Sequence, residues 1–101
     1  ELVAPDLMPF EVANVLRRLS LSGEISDQEA TLAHVDLMDL PVSTWPYSVL
    51  AQHTWELRGR LTAYDASYVA VARLAQAPLL TLDQRVARSG VTGCEIRCPT
   101  S

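Results

Sequence analysis

Tyr64-Asp65-Ala66-Ser67-Tyr68-Val69-Ala70-Val71-Ala72-Arg73-Leu74-Ala75, then Gln76-Ala77, then Pro78-Leu79-Leu80-Thr81-Leu82-Asp83, is the stretch that decides the fold. Asp65 opens a run in which Ala66, Val69, Ala70, Val71, Ala72, Leu74 and Ala75 supply small apolar surfaces, as in a helix built for close packing. Pro78 to Leu82 then reads as an uninterrupted apolar strand. Such strands are covered on both faces in parallel sheets, where alternation with polar residues is lost. Asp83 ends the strand, and Gln84 to Arg88 has room for one or two helical turns. Gly90 and Gly93 mark turns, and Glu95-Ile96-Arg97 reads as a last strand.

Working back from that stretch, strands and helices alternate. Leu2-Val3-Ala4 is a short apolar strand closed by Pro5, and Asp6 is placed to cap the first long helix. Met8, Val12, Val15, Leu16 and Leu19 recur at helical spacing from Leu7 to about Ser20, and Gly23 is a stop. Ser26-Asp27-Gln28-Glu29 has the form of a capping box, in which a serine caps the helix and a glutamate three residues on reaches back. The helix it starts carries Ala30, Leu32, Ala33, Leu37 and Met38 and stops before Pro41. Pro41 to Trp45 reads as a second strand, and Pro46 suits the first turn of a third helix. That helix presents Val49, Leu50, His53, Leu57 and Leu61, with Gly59 interrupting it late. The order predicts one α/β domain over residues 1–101 with a mainly parallel sheet.

Composition narrows the function. The chain has 101 residues, 49% of them hydrophobic and 20% charged, which is enough apolar material for a core. No apolar run approaches the ~20 residues of a membrane span. No basic segment leads into an apolar one as in a signal peptide, so the expected location is cytoplasmic. The net charge of −4 argues against binding nucleic acid by bulk charge. It leaves room for an acidic metal site, where the ion inverts the local field. Arginine supplies every basic side chain. Cys94 and Cys98 are the only cysteines, too few for a four-ligand zinc site. On an extended strand they would lie ~13 Å apart, out of disulfide reach.

Three carboxylates stand in informative places. Glu11 interrupts the apolar pattern of the first long helix, one turn from Met8 and from Val15; the plain alternative is a surface residue at the edge of the buried face. Asp65 stands at a helix start, where an aspartate taken alone reads as an N-cap. Asp83 lies at the carboxyl end of a strand, and open α/β sheets place ligands just outside those ends. Carboxylates gathered in one cleft repel each other, and a divalent cation relieves that repulsion. Mg²⁺ takes oxygen ligands and keeps several waters, so such a centre activates water and neutralises a phosphoryl group. Spacing along the chain leaves open whether the three converge.

Ala4-Pro5-Asp6-Leu7 with Glu11-Val12-Ala13-Asn14-Val15-Leu16, Tyr64-Asp65-Ala66-Ser67-Tyr68-Val69-Ala70, and Pro78-Leu79-Leu80-Thr81-Leu82-Asp83 together resemble PIN-domain toxins of the VapC type, from the first residue to about Val91. The resemblance implies a PIN-like three-layer sandwich. It also implies Mg²⁺- or Mn²⁺-dependent cleavage of RNA, a homodimer and inhibition by a VapB-type antitoxin. By motif position Glu11, Asp65 and Asp83 match three of the family's four metal-binding, catalytic carboxylates, and Thr81 matches a supporting polar position beside them. The fourth belongs to a first strand, central in the family's sheet, for which this sequence has no counterpart. The expectation is therefore of an N-terminally truncated domain, weakly active or inactive by itself. Asn14 and Tyr64 match positions read as structural.

A non-catalytic PIN-like module that binds an antitoxin or dimerises without turnover is the alternative function. An unrelated α/β domain with capping carboxylates ranks below both. His34 and His53 lie in helical patterns and are read as packing or surface residues. Trp45, Tyr47 and Trp55 are read as core or oligomer surface before an RNA-stacking platform. Arg17, Arg18, Arg85 and Arg88 suit solvated helix faces about as well as phosphate contacts.

Overall fold

The computed structural model describes residues 2–80 and 96–97. Within them the order is β1 (Leu2–Pro5), α1 (Met8–Leu21), α2 (Asp27–Asp39), β2 (Val42–Trp45), α3 (Tyr47–Glu56), α4 (Ala63–Ala75), β3 (Leu79–Leu80) and β4 (Ile96–Arg97). This is the α/β alternation expected from the sequence, and both ladders are parallel. β1 pairs with β2 from Leu2 opposite Val42 to Pro5 opposite Trp45, and β3 pairs with β4. Among the described residues the two ladders are separate sheets, and α4 packs on β1 and on β3.

Local chemistry sets most boundaries. Ser26 and Glu29 form the anticipated capping box: the Glu29 N–H donates to Ser26 Oγ at 3.0 Å, and the Ser26 N–H donates to Glu29 Oε1 at 2.9 Å. That charge-assisted bond holds the Glu29 carboxyl below the usual carboxylate range, chiefly through the Ser26 backbone. Gly23 adopts φ +80°, which a residue without a Cβ reaches at no steric cost, and so turns the chain between α1 and α2. Four details depart from expectation. Asp6 does not cap α1: Leu7 is the N-cap without a side-chain bond, and the Asp6 N–H instead continues the β1–β2 edge to the Trp45 carbonyl at 2.9 Å. Pro46 is the N-cap of α3 and not a first-turn residue, and α3 ends at Glu56 before Gly59. Val49, expected on the packed face of α3, is exposed, while Leu50 and Thr54 are buried.

α4 is the centre of the core. Ala66, Val69 and Ala72 pack with Leu57, backed by Leu61 and Tyr68. Ala70 and Val71 face Leu50 of α3, with Val3 and Trp45 of the first sheet behind them. Small side chains on both sides of one helix let two neighbours approach it closely, as the alanine-rich sequence anticipated. α1 and α2 form a hairpin packed mainly on each other, and neither contains a buried residue. The residues carrying the expected Thr81, Asp83 and Gln84 to Arg88, the Gly90 and Gly93 turns, and Cys94 and Cys98 lie outside the described residues.

Candidate metal centre

The first turns of α1, α3 and α4 meet beyond the carboxyl ends of β1 and β2. They enclose a cleft of about 490 Å³ lined by Pro5 and Asp6, by Phe10 of α1, by Trp45 and Tyr47, and by Tyr64 and Ser67 of α4, among others. Its rim is aromatic and open: Phe10 is 80% exposed, Tyr64 66% and Tyr47 57%. Two of these rings are chain neighbours of the candidate carboxylates, Phe10 of Glu11 and Tyr64 of Asp65.

Asp65 is not the N-cap of its helix. Thr62 is: its Oγ1 accepts from the Asp65 N–H at 3.1 Å. The carboxylate of Asp65 thus lies in the first turn of α4 but is not spent on the cap. The positive end of the helix dipole favours negative charge there. Glu11 also lies in the first turn of α1, one position further along its helix than Asp65, and is exposed at its surface.

Glu11 is joined to the helix that carries Asp65 by a residue that the sequence offered only as part of a motif. Tyr68 donates its phenolic hydrogen to Glu11 Oε1 at 2.6 Å, joining α4 to α1. Tyr68 stands three residues after Asp65, so the two share a helix face. Burial, then the hydrogen bond to Glu11, then the charges of Glu11 and Asp65 push the Tyr68 phenol well above the ordinary tyrosine value. Both carboxylates therefore act on one phenol, which is kept neutral and able to donate. The signal that could have singled out Tyr68 was its i+3 spacing from Asp65 on a helix whose other inward positions are alanine, serine and valine.

Hard oxygen donors on the first turns of two helices fit a cation such as Mg²⁺ or Mn²⁺ better than a thiophilic metal. Among the described residues no group of three or more metal-ligating side chains comes together; of the expected carboxylates the described residues include Glu11 and Asp65. Asp83 and Thr81, the other expected members, lie outside the described residues. His34 is exposed on α2, and His53 is half-buried in α3 with its Nδ1 unpartnered. The expected aromatic cluster divides. Trp45 packs against the core, Tyr47 lines the cleft, and Trp55 carries the Arg58 guanidinium 4.7 Å above its ring.

Comparison with known proteins identifies the family. The sequence matches the PIN domain profile over residues 1–91. It is 44% identical to Ribonuclease VapC1 of Mycobacterium tuberculosis over 95 residues, covering 93% of this chain and 71% of that protein. Ribonucleases VapC9 and VapC12 of the same organism are each 36% identical, over 91% and 92% of this chain and 72% of their own lengths. A profile spanning most of the chain and relatives matched over more than two thirds of their length place this protein in the PIN domain family, among its VapC-type members.

Proposed function

We propose that this chain is the toxin subunit of a VapBC-type pair, an endoribonuclease that hydrolyses RNA phosphodiesters with a divalent cation, Mg²⁺ or Mn²⁺. The observation that carries the reading is the Tyr68–Glu11 hydrogen bond, which joins the helix of Glu11 to the helix of Asp65 near a cleft, at the carboxyl ends of parallel strands, lined by their chain neighbours Phe10 and Tyr64. Its VapC relatives, by their names ribonucleases, support the same activity.

Glu11 and Asp65 would hold the cation, with Asp83 as a third ligand and Thr81 beside it. A cation there would activate water and neutralise charge on the phosphate, chemistry worth several kcal/mol at the transition state. The chain's own part is to hold the carboxylates in place. Asp65 is held by a helix packed on both sides, and Glu11 by the Tyr68 hydroxyl. Phe10, Tyr47 and Tyr64 on the rim offer faces on which unpaired bases stack, favouring single-stranded RNA.

The partners proposed with this activity are a VapB-type antitoxin and a second copy of the chain. Leu32, Val35 and Met38, exposed at spacing that keeps them on one side of α2, are an apolar stripe of the kind that protein partners cover. Among the described residues no helix is long and apolar enough to cross a membrane. The proposed location is the cytoplasm, with the RNA.

The test is Mg²⁺- or Mn²⁺-dependent cleavage of a single-stranded RNA, with an Asp65→Ala variant and a chelator as controls. Cleavage that needs the metal and Asp65 supports the proposal. Binding of an antitoxin without any cleavage would favour the non-catalytic module.

A further inference from the structure

We propose that Tyr68 is a positioning residue, whose hydroxyl holds the Glu11 carboxylate in the orientation from which Glu11 and Asp65 together take a divalent cation. The proposal rests on the metal reading of this pair and adds a residue that the carboxylate motifs do not name.

Three observations lead to it. First, Glu11 is exposed on a helix that buries no residue, so packing does not select one of its rotamers. A glutamate immobilised only when the ion arrives loses its side-chain freedom at that moment, which weakens binding. Second, Tyr68 is the opposite kind of residue. Its ring packs against the buried cluster of Leu57, Ala66, Val69 and Ala72. Third, its oxygen meets Glu11 Oε1 at 2.6 Å, within the range of a charge-assisted O–H to carboxylate bond. A carboxylate has about four acceptor sites on its two oxygens, so one bond from tyrosine leaves Oε2 and the remaining lone pair of Oε1 for an ion. The same helix face carries Asp65 one turn away. Thus α4 contributes one ligand directly and orients the other across the gap to α1.

The arrangement separates positioning from charge. Tyr68→Phe keeps the ring and its packing and removes only the hydroxyl. In the full chain, Mn²⁺ affinity can be followed by the paramagnetic resonance of free Mn²⁺, a readout independent of RNA cleavage. The expected result is a dissociation constant about ten-fold weaker in Tyr68→Phe, as loss of a hydrogen bond to a charged group implies. In a Glu11→Ala background the same substitution should change the constant by less than about two-fold, since there is no carboxylate left to orient. In the unsubstituted chain, Mn²⁺ should broaden the ring-proton resonances of Tyr68, which places the ion beside the phenol whatever the stability of the variant. Unchanged affinity in Tyr68→Phe, or equal losses with and without Glu11, would each overturn the positioning role while leaving the metal centre standing. Tyr68 resonances that stay sharp at saturating Mn²⁺ would place the ion away from Glu11 and Asp65 and overturn the metal reading of this pair. An unsubstituted chain that binds no Mn²⁺ would overturn the metal reading and this proposal with it.

Discussion

Helix α4 and the α1–α2 hairpin both carry apolar residues at helical spacing, yet they sit in the molecule in opposite ways. α4 buries Ala66, Ser67, Val69, Ala70, Val71 and Ala72 and is covered on two sides. The hairpin buries no residue, and leaves Phe10, Val15, Leu21, Leu32, Val35 and Met38 exposed. A helix made of small residues admits neighbours all round, whereas a helix of leucines and methionines on one stripe needs a broad apolar partner to cover it. One candidate ligand lies on each kind of helix. Asp65 inherits the rigidity of α4. Glu11 does not inherit any from α1, and receives it from Tyr68 instead.

That contrast can be broken most severely at the site. Asp65→Asn removes a charge but little volume from the rigid side. We expect metal-dependent RNA cleavage to fall by at least about a hundred-fold, several kcal/mol of transition-state stabilisation, with the melting temperature measured without metal little changed. Asp83→Asn should abolish the rise in melting temperature that Mg²⁺ or Mn²⁺ confers on the folded chain. A metal-induced shift that survives this substitution would remove Asp83 from the ligand set.

Packing supplies the next largest effect. Leu50 is 1% exposed against Ala70 and Val71, so Leu50→Ala should cost about 2–5 kcal/mol in denaturant unfolding. The same truncation at Leu32 of the hairpin, 58% exposed, should cost under about 0.5 kcal/mol. Equal costs would mean that the hairpin is as well covered as α4 in solution, as by a second copy of the chain; repeating the measurement across protein concentrations would show it.

Smaller effects sharpen the picture at helix ends. Ser26→Ala deletes half of the capping box of α2 and should cost on the order of 1 kcal/mol. Because the folded chain lowers the Glu29 pKa, its contribution to stability is present above the unfolded carboxylate value and is lost as pH falls through the folded one. Glu29→Gln, which removes the titrating carboxyl, should therefore show a flatter acid limb in thermal unfolding, whereas Ser26→Ala, which keeps the backbone N–H that chiefly lowers the Glu29 pKa, should retain most of it. At the other end of α4, Gln76 closes the helix in the left-handed region at φ 53°, a conformation that glycine adopts without strain. Gln76→Gly should stabilise the fold by about 0.5–1 kcal/mol. Destabilisation would mean that the Gln76 side chain makes a contact worth more than the strain.

Sequence by itself settled what depends on neighbours a few residues apart. The alternation of strands and helices, the Ser26–Glu29 box, the turn at Gly23 and the close-packing character of α4 all rest on interactions within one or two turns, and periodicity and side-chain chemistry report those directly. Glu11 and Asp65 were legible as candidates for the same reason, by their place in a pattern. Tertiary structure decided the rest. That Thr62 and not Asp65 caps α4 depended on a choice between two nearby residues with similar capping ability. That Val49 is exposed while Thr54 is buried depended on which side of α3 met α4. The Tyr68–Glu11 bond joins residues 57 positions apart, and no local preference encodes it. It exists because α1 and α4 both begin at the edge of the first sheet, and that nearness arises only when the whole intervening chain has closed.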